Sequence, residues 1–385
     1  MKKGDRDIQE AFNSMLRTDY IPINDAKKLA KLSEYYIDYF GYLPQIIDET
    51  DQLIVGRRGT GKTTLLYRAL IECVNSWKFR NPSDAKQRTL GVYIDLSKCH
   101  SLSEQDDEAE RNFEQIFATE LYESLKAELI RNWPALNNNR SLIPDFFLKN
   151  KLDTNAVLEE IAGIIKSGIP RSTSKITKRK LSTDLAEEVS DTEEDKIDVD
   201  LKGPKGSVSA GRKKTTRDAR RVDVEDEVTH RLMISDILRS LGQLREKAKI
   251  SHIILLVDEF SALSENNQRK FTTLLRKILG NHNGVYVKLC AITDNYKLGS
   301  SIIVQRDIFE MCLDFDRYVE LNDSVNSAFD SLGELAEKLV SGRLKAFAKM
   351  TPNMIFENPQ QTWILLSKAC IAIPRTIGII LLTRY

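Results

Sequence analysis

Residues 56–63 read Gly-Arg-Arg-Gly-Thr-Gly-Lys-Thr and fit the pattern G-x-x-x-x-G-K-[ST]. They follow the short apolar run DQLIVG (51–56) and precede TTLLYRALIECVNSW (63–77), whose apolar residues recur at helical spacing. Chemistry explains that setting. Glycines permit positive φ and let backbone N–H groups approach phosphate oxygens closely. A helix that starts just beyond turns its free amides and positive dipole end on the same anion. Gly56, Arg57, Arg58, Gly59, Thr60 and Gly61 form the cradle, with Thr64 in the turn behind it. Lys62 is placed to reach the β- and γ-phosphates, and the Thr63 hydroxyl to ligate Mg²⁺.

A second constellation lies at Ile253–Glu259, an apolar run that ends in two carboxylates. Asp258 is the candidate to hold Mg²⁺, and Glu259 the candidate to polarise an attacking water. GVYVKLCAIT (284–293) is a further buried strand, and it ends in Thr293, Asp294 and Asn295. A polar group there either orients the water between Asp258 and the γ-phosphate or closes the strand as a turn former. Ile373-Pro374-Arg375 opens a late helix. Arg375 reads as a phosphate contact that reports to the elements behind it, or as a surface arginine. Arg306 and Arg317 are candidates for a finger that reaches a neighbour's nucleotide, with a structural role as the other reading.

These residues need a sheet to bring them together. Strands are expected at 51–56, 91–96, 251–260 and 284–293, with a short one at 316–322 (DRYVELN). Helices are expected at 63–77, 112–130, 154–166, 231–247 and 266–279, a broken helix at 301–312, and helical pattern from 324 onward. AKKLAKLSEYYIDYF carries a further amphipathic pattern before the break at 41–44. The alternation predicts an α/β fold with a parallel sheet covered on both faces, followed by a small helical lid. Residues 170–225 stand apart. They hold almost no large apolar residues, and basic runs at 171–180 and 212–221 enclose an acidic run at 184–195. KIDVDL, GPKGS and SVSAG read as a short hairpin within a mobile insertion. The basic runs either neutralise nucleic-acid phosphates in a salt-dependent way or pair with the acidic run between them.

Composition narrows the class. The chain has 385 residues, of which 57 are Lys or Arg and 56 Asp or Glu, for a net charge of +1. A uniformly basic protein is excluded, whereas a local basic surface is not. The five Cys are scattered and the four His form no cluster, which points to a reducing compartment, the cytoplasm, and away from a disulfide framework or zinc module. No apolar run is long enough to span a membrane, and MKKGDRDIQEAF lacks the apolar core of a secretory signal.

Taken together, GRRGTGKTTLL, IILLVDEF, LCAITDN and IPRTIG resemble the AAA+ ATPases, specifically the Orc1/Cdc6-like branch related to the STAND signalling ATPases. The resemblance spans most of 35–385 apart from the insertion. It implies an αβα P-loop NTPase core with strand order 5-1-4-3-2 and a C-terminal helical lid, with ATP and Mg²⁺ between core and lid. In domain terms it implies an N-terminal segment (1–34), a core (35–322) and a lid (323–385). It assigns Lys62 and Thr63 to phosphate and Mg²⁺, Asp258 to Mg²⁺, Glu259 to the catalytic base, Asn295 to a first sensor and Arg375 to a second. The function so implied is an Mg-dependent ATPase that couples nucleotide state to homo-oligomer assembly and to double-stranded DNA or a partner. The alternative is a nucleotide-gated switch in antiviral defence that acts with a separate effector protein.

Overall fold

The computed structural model of the chain describes residues 3–16, 26–77, 88–99, 107–138, 144–167, 234–280, 283–371 and 373–384. The chain divides into two units, and the larger, Met1–Lys166 with Leu232–Tyr385, holds the sheet, its helices and the lid. The hairpin and basic runs expected within 170–225 lie outside the described residues.

Five strands form the sheet: β1 (Gln52–Val55), β2 (Thr89–Asp95), β3 (His252–Asp258), β4 (Val285–Ala291) and β5 (Phe309–Cys312). All pairings are parallel, in the order β2-β3-β4-β1-β5, which is 5-1-4-3-2 read from the other edge. The αβα P-loop architecture expected from the sequence is therefore the one observed. Every crossover requires a helix or a long connection, and this buries both faces.

The two-residue period of a strand divides the core. Ile253, Leu255 and Val257 of β3 face one side, with Phe117, Leu241 and Leu274. Ile254 and Leu256 face the other, with Leu66, Leu70 and Leu32. The first layer is built by α5 (Asp107–Asn138), α6 (Pro144–Ser167), α7 (Ile234–Ala248) and α8 (Glu265–Ile278); the second by α2 (Ala26–Tyr35), the short α3 (Leu43–Ile46) and α4 (Lys62–Ser76). α4 buries Leu65, Leu66, Ala69, Leu70 and Cys73, an i, i+4, i+8 stripe that fixes its rotation on the sheet.

A third apolar cluster makes the lid from α9 (Phe315–Asn322), α10 (Val325–Arg343), α11 (Pro359–Cys370) and α12 (Pro374–Arg384). The N-terminal helix α1 (Lys3–Asn13) belongs to that cluster: Ile8, Ala11, Phe12 and Met15 are buried against lid residues that include Ile377 and Leu381. α10 starts at Ser324, whose hydroxyl accepts from the Ser327 amide at 3.1 Å, and α11 starts at Asn358-Pro359.

Two sequence expectations are corrected. The broken helix placed at 301–312 is instead a turn followed by β5, and the strand placed at 316–322 is α9. β5 is only four residues long, pairs on one side alone, and buries only Met311 fully, so it leaves no clean alternation. DRYVELN carries an aromatic and a β-branched residue at its centre, but Tyr318 and Val319 follow Phe315 by three and four positions. Packing these three in the lid cluster overrides the β propensity of the segment.

Candidate functional site

Parallel register brings the strand ends to one edge. Val55 pairs with Ala291 and Cys312, and Asp95 pairs with Asp258. The segments leaving these strands therefore meet in one place, a cleft of about 1170 Å³ between the sheet edge and the lid.

The glycine-rich loop forms the floor. Gly59 (φ 88°) and Gly61 (φ 101°) adopt the left-handed region that β-carbon sterics deny to other residues. Gly61 sits at the α4 N-terminus, where no side chain caps the free amides. Lys62 folds over the loop: its Nζ donates to the Gly56 carbonyl and, at 2.9 Å, to the Arg57 carbonyl. Burial lowers its pKa, while Cys290, Asp258, Asp314 and Glu259 act to hold its proton. The ammonium can leave these neutral carbonyls for a phosphate without breaking an ion pair.

Across the cleft, Asp258 is almost fully buried. Its carboxylate accepts from the Tyr93 hydroxyl at 3.0 Å, the Glu259 amide at 2.9 Å and the Thr63 hydroxyl. Burial raises its pKa, and these donors together with Lys62 pull it back. Thr63 Oγ1 and the Asp258 carboxylate are hard oxygen donors already in contact, a set that fits Mg²⁺ completed by phosphate oxygens and water. The described residues hold no cluster of three His, Cys, Asp or Glu side chains able to ligate a metal, and a Mg²⁺ shared with phosphates requires none. Glu259 takes a left-handed backbone conformation (φ 58°) and stays exposed in the cleft. Desolvation, then the charges of Asp258 and Asp95, raise its pKa, which suits a group meant to take a proton from water.

Arg57, Arg58, Gly59, Thr60, Gly61, Lys62, Thr63 and Thr64 all line this cleft, as do Asp258, Glu259 and Arg375. Gly56 is the floor carbonyl that receives Lys62. Arg375 lies so close to the loop that a β-carbon on Gly59 would stand 2.7 Å from its own, and its Nε donates to the Leu16 carbonyl at 2.8 Å. The remaining candidates point elsewhere. Thr293 donates its hydroxyl to Asp314, Asn295 turns its amide to the Ser261 carbonyl at 3.4 Å, and Asp294 is an exposed left-handed turn residue. Arg306 is exposed and paired with Asp307, while Arg317 is paired with Glu320 at 2.8 Å. None of these five lines the cleft.

Sequence reasoning missed Asp314. Its carboxylate accepts from the Arg57 amide at 2.7 Å and from the Thr293 hydroxyl, and so ties the phosphate loop to the ends of β4 and β5. An acid directly after CL in CLDFD was the available signal, hidden by the misassigned strand. Also missed was the wall formed by Tyr36, Ile37, Tyr39 and Phe40, whose rings lead into a stack of Tyr39 on Tyr318 (4.9 Å, 28°).

A parallel sheet that offers an anion-binding loop at its carboxyl edge, roofed by a helical lid, is the arrangement of a P-loop NTPase. Residues 24–361 match the ORC-CDC6-like family model, and the chain belongs to that family, one of nucleotide-binding AAA+ ATPases. No curated protein and no solved structure matched the chain. No helix among the described residues is long and apolar enough to cross a membrane.

Proposed function

We propose that the protein binds ATP with Mg²⁺ in this cleft, hydrolyses it, and uses the nucleotide state to set the lid and, through it, assembly with copies of itself. The observation that carries the reading is convergence. Lys62, Thr63, Asp258 and Glu259 come from two strand ends far apart in sequence, yet they line one cleft, and the lid's Arg375 touches the same loop.

In this reading the loop amides and Lys62 bind the β- and γ-phosphates, and Thr63 with Asp258 would hold Mg²⁺. The metal would neutralise charge developing on the phosphate oxygens. Glu259 accepts a proton from the attacking water and orients it. Arg375 exchanges the Leu16 carbonyl for phosphate, so that loss of phosphate is felt by α12 and by α1 behind it. Asn295 and Thr293 act on the water only if the β4 end turns toward the cleft, Thr293 by giving up Asp314. Arg306 or Arg317 serves a neighbouring subunit's nucleotide. Assembly would engage double-stranded DNA or a partner, with the basic runs at 171–180 and 212–221 as the charge available for it.

Steady-state hydrolysis of the purified chain, with and without duplex DNA and at two salt concentrations, tests this. Turnover that DNA stimulates and salt suppresses supports a DNA-engaged ATPase. Slow turnover indifferent to DNA supports a nucleotide-gated switch with a separate effector, a reading favoured by the direct bond between Arg375 and the N-terminal segment. Absence of Mg²⁺-dependent turnover in either arm refutes the hydrolytic assignment.

A further inference from the structure

Arg343, the last residue of α10, is 5% exposed and yet lines the cleft. Among the described residues no carboxylate pairs with it. One guanidinium nitrogen turns back to the Leu339 carbonyl of its own helix at 3.1 Å, and the group lies 5.0 Å from the Tyr35 ring centroid. Its Nε meets no acceptor. Burial pulls its pKa down to about 10, as expected of a cation shielded from water without a counter-ion. Packing alone would be served better by Met or Leu at this position, since the neighbours along α10 are Leu335, Leu339 and Val340.

Arg343 lies against Tyr35 and Leu339, and the cleft lining it joins includes Leu335 and Leu339 of its own helix and Tyr36, Tyr39 and Phe40 just beyond Tyr35. Flat aromatic and aliphatic surfaces suit the faces of a planar base. A guanidinium carries only donors, so what it can recognise on such a base is acceptor atoms: ring nitrogens and, in guanine, the carbonyl oxygen. Phosphate already has the loop amides and Lys62.

We infer that Arg343 is a specificity-determining residue that donates hydrogen bonds to the acceptor edge of the purine of the bound nucleotide. The inference rests on the nucleotide-site reading above. It explains why an unpaired cation is kept in the lid: its counterpart arrives with the ligand, and base recognition is thereby coupled to lid position.

Calorimetric titration of wild type, Arg343→Met and Arg343→Lys with ATP, GTP and inorganic tripolyphosphate, each with Mg²⁺, tests it, alongside the Tm of each unliganded protein. Arg343→Met should lose about 10- to 100-fold in ATP affinity, the cost of one charge-assisted bond. It should bind tripolyphosphate within about 2-fold of wild type, and its unliganded Tm should equal or exceed the parental value. The wild-type preference between ATP and GTP should shrink toward unity. Arg343→Lys, which keeps the charge and loses the fork, should lose part of the ATP affinity, and it decides the matter if the Met variant does not fold. Unchanged ATP affinity in the folded variants makes Arg343 structural and overturns the inference. An equal loss for tripolyphosphate assigns it to phosphate and also overturns it. A wild type that binds none of the three ligands removes the nucleotide reading itself.

Discussion

One carboxylate, that of Asp314, joins the phosphate loop to two strand ends, so small changes there should reach the ligand. Asp314→Ala frees the Arg57 amide and the Thr293 hydroxyl at a site 5% exposed. ATP affinity should fall about 10-fold by calorimetry, the cost of one or two buried hydrogen bonds, with secondary structure retained by circular dichroism. The acidic pair makes a sharper division. Glu259→Gln should keep ATP affinity and lose turnover by roughly 10²–10⁴-fold, the usual range for a general base; turnover at the parental rate would exclude Glu259 as the base. Lys62→Ala should lose both binding and turnover. A fourth carboxyl reports on pH. Glu128 on α5 lines the cleft, is 3% exposed, and is pushed up to about 7 by burial against the opposing pull of Arg131. Because its folded pKa exceeds the unfolded one, the folded state holds the extra proton. Stability is therefore full below the unfolded pKa near 4.5 and is lost as pH rises through 7. The loss is at most about 3 kcal/mol, and the fall in Tm between pH 5 and pH 8 should shrink in Glu128→Gln. Lys62, Thr63, Asp258 and Glu259 were legible because each sits in a contiguous pattern. Asp314 and Arg343 were not, because neither has a local pattern and their meaning lies in contacts made across hundreds of residues.

At the scale of elements, α1 was legible only as part of an N-terminal segment, residues 1–34. Its burial in the lid cluster makes it part of the roof. α12 accepts it through Gly378, where an added β-carbon would stand 2.9 Å from Met15 Cβ and 3.0 Å from the Phe12 carbonyl oxygen. Alanine in a helix interior normally gains about 1 kcal/mol over glycine. Here Gly378→Ala should reverse that sign and lower Tm, because backbone and side chain of α1 both block it. Phe12→Ala should cost about 3–5 kcal/mol by leaving a cavity in the same seam, measured by urea unfolding. A lysine secures the opposite end of the sheet. Lys288 on β4 is fully buried, and its ammonium donates to the carbonyls of Asp48, at 2.9 Å, and Thr50 beneath the strands. Burial lowers its pKa to about 7 despite the nearby charges of Asp51 and Asp48. Lys288→Ala should destabilise by about 2–4 kcal/mol, since those carbonyls lose a donor inside the protein. From the sequence Lys288 reads only as an interruption in an apolar strand, because nothing in VYVKLCA identifies the turn that receives it.

For the whole molecule, the lid cluster, the two sheet layers and the cleft between them set the terms of any assembly. Arg306 is exposed, Arg317 is half-buried and neither lines the cleft, so the finger role proposed for them requires a nucleotide held by a second copy. If nucleotide drives assembly, light scattering should show the mass rising with ATP and Mg²⁺ in Glu259→Gln and staying at the ligand-free value in Lys62→Ala. Equal masses in both variants would separate assembly from the phosphate site.

The first four strands, the phosphate loop and the acidic strand end were determined by the sequence itself. Their signals are local: apolar runs of strand length, glycines at fixed offsets, and helical periodicity beside them. The tertiary structure alone decided that 315–322 is helical, that α1 closes the lid, that Asp314 joins the loop to two strands, and that a buried arginine on α10 faces the cleft without a counter-ion. In each of these the deciding energy comes from packing or desolvation against residues distant in the chain, and such energies leave no periodic trace in the segment that carries them.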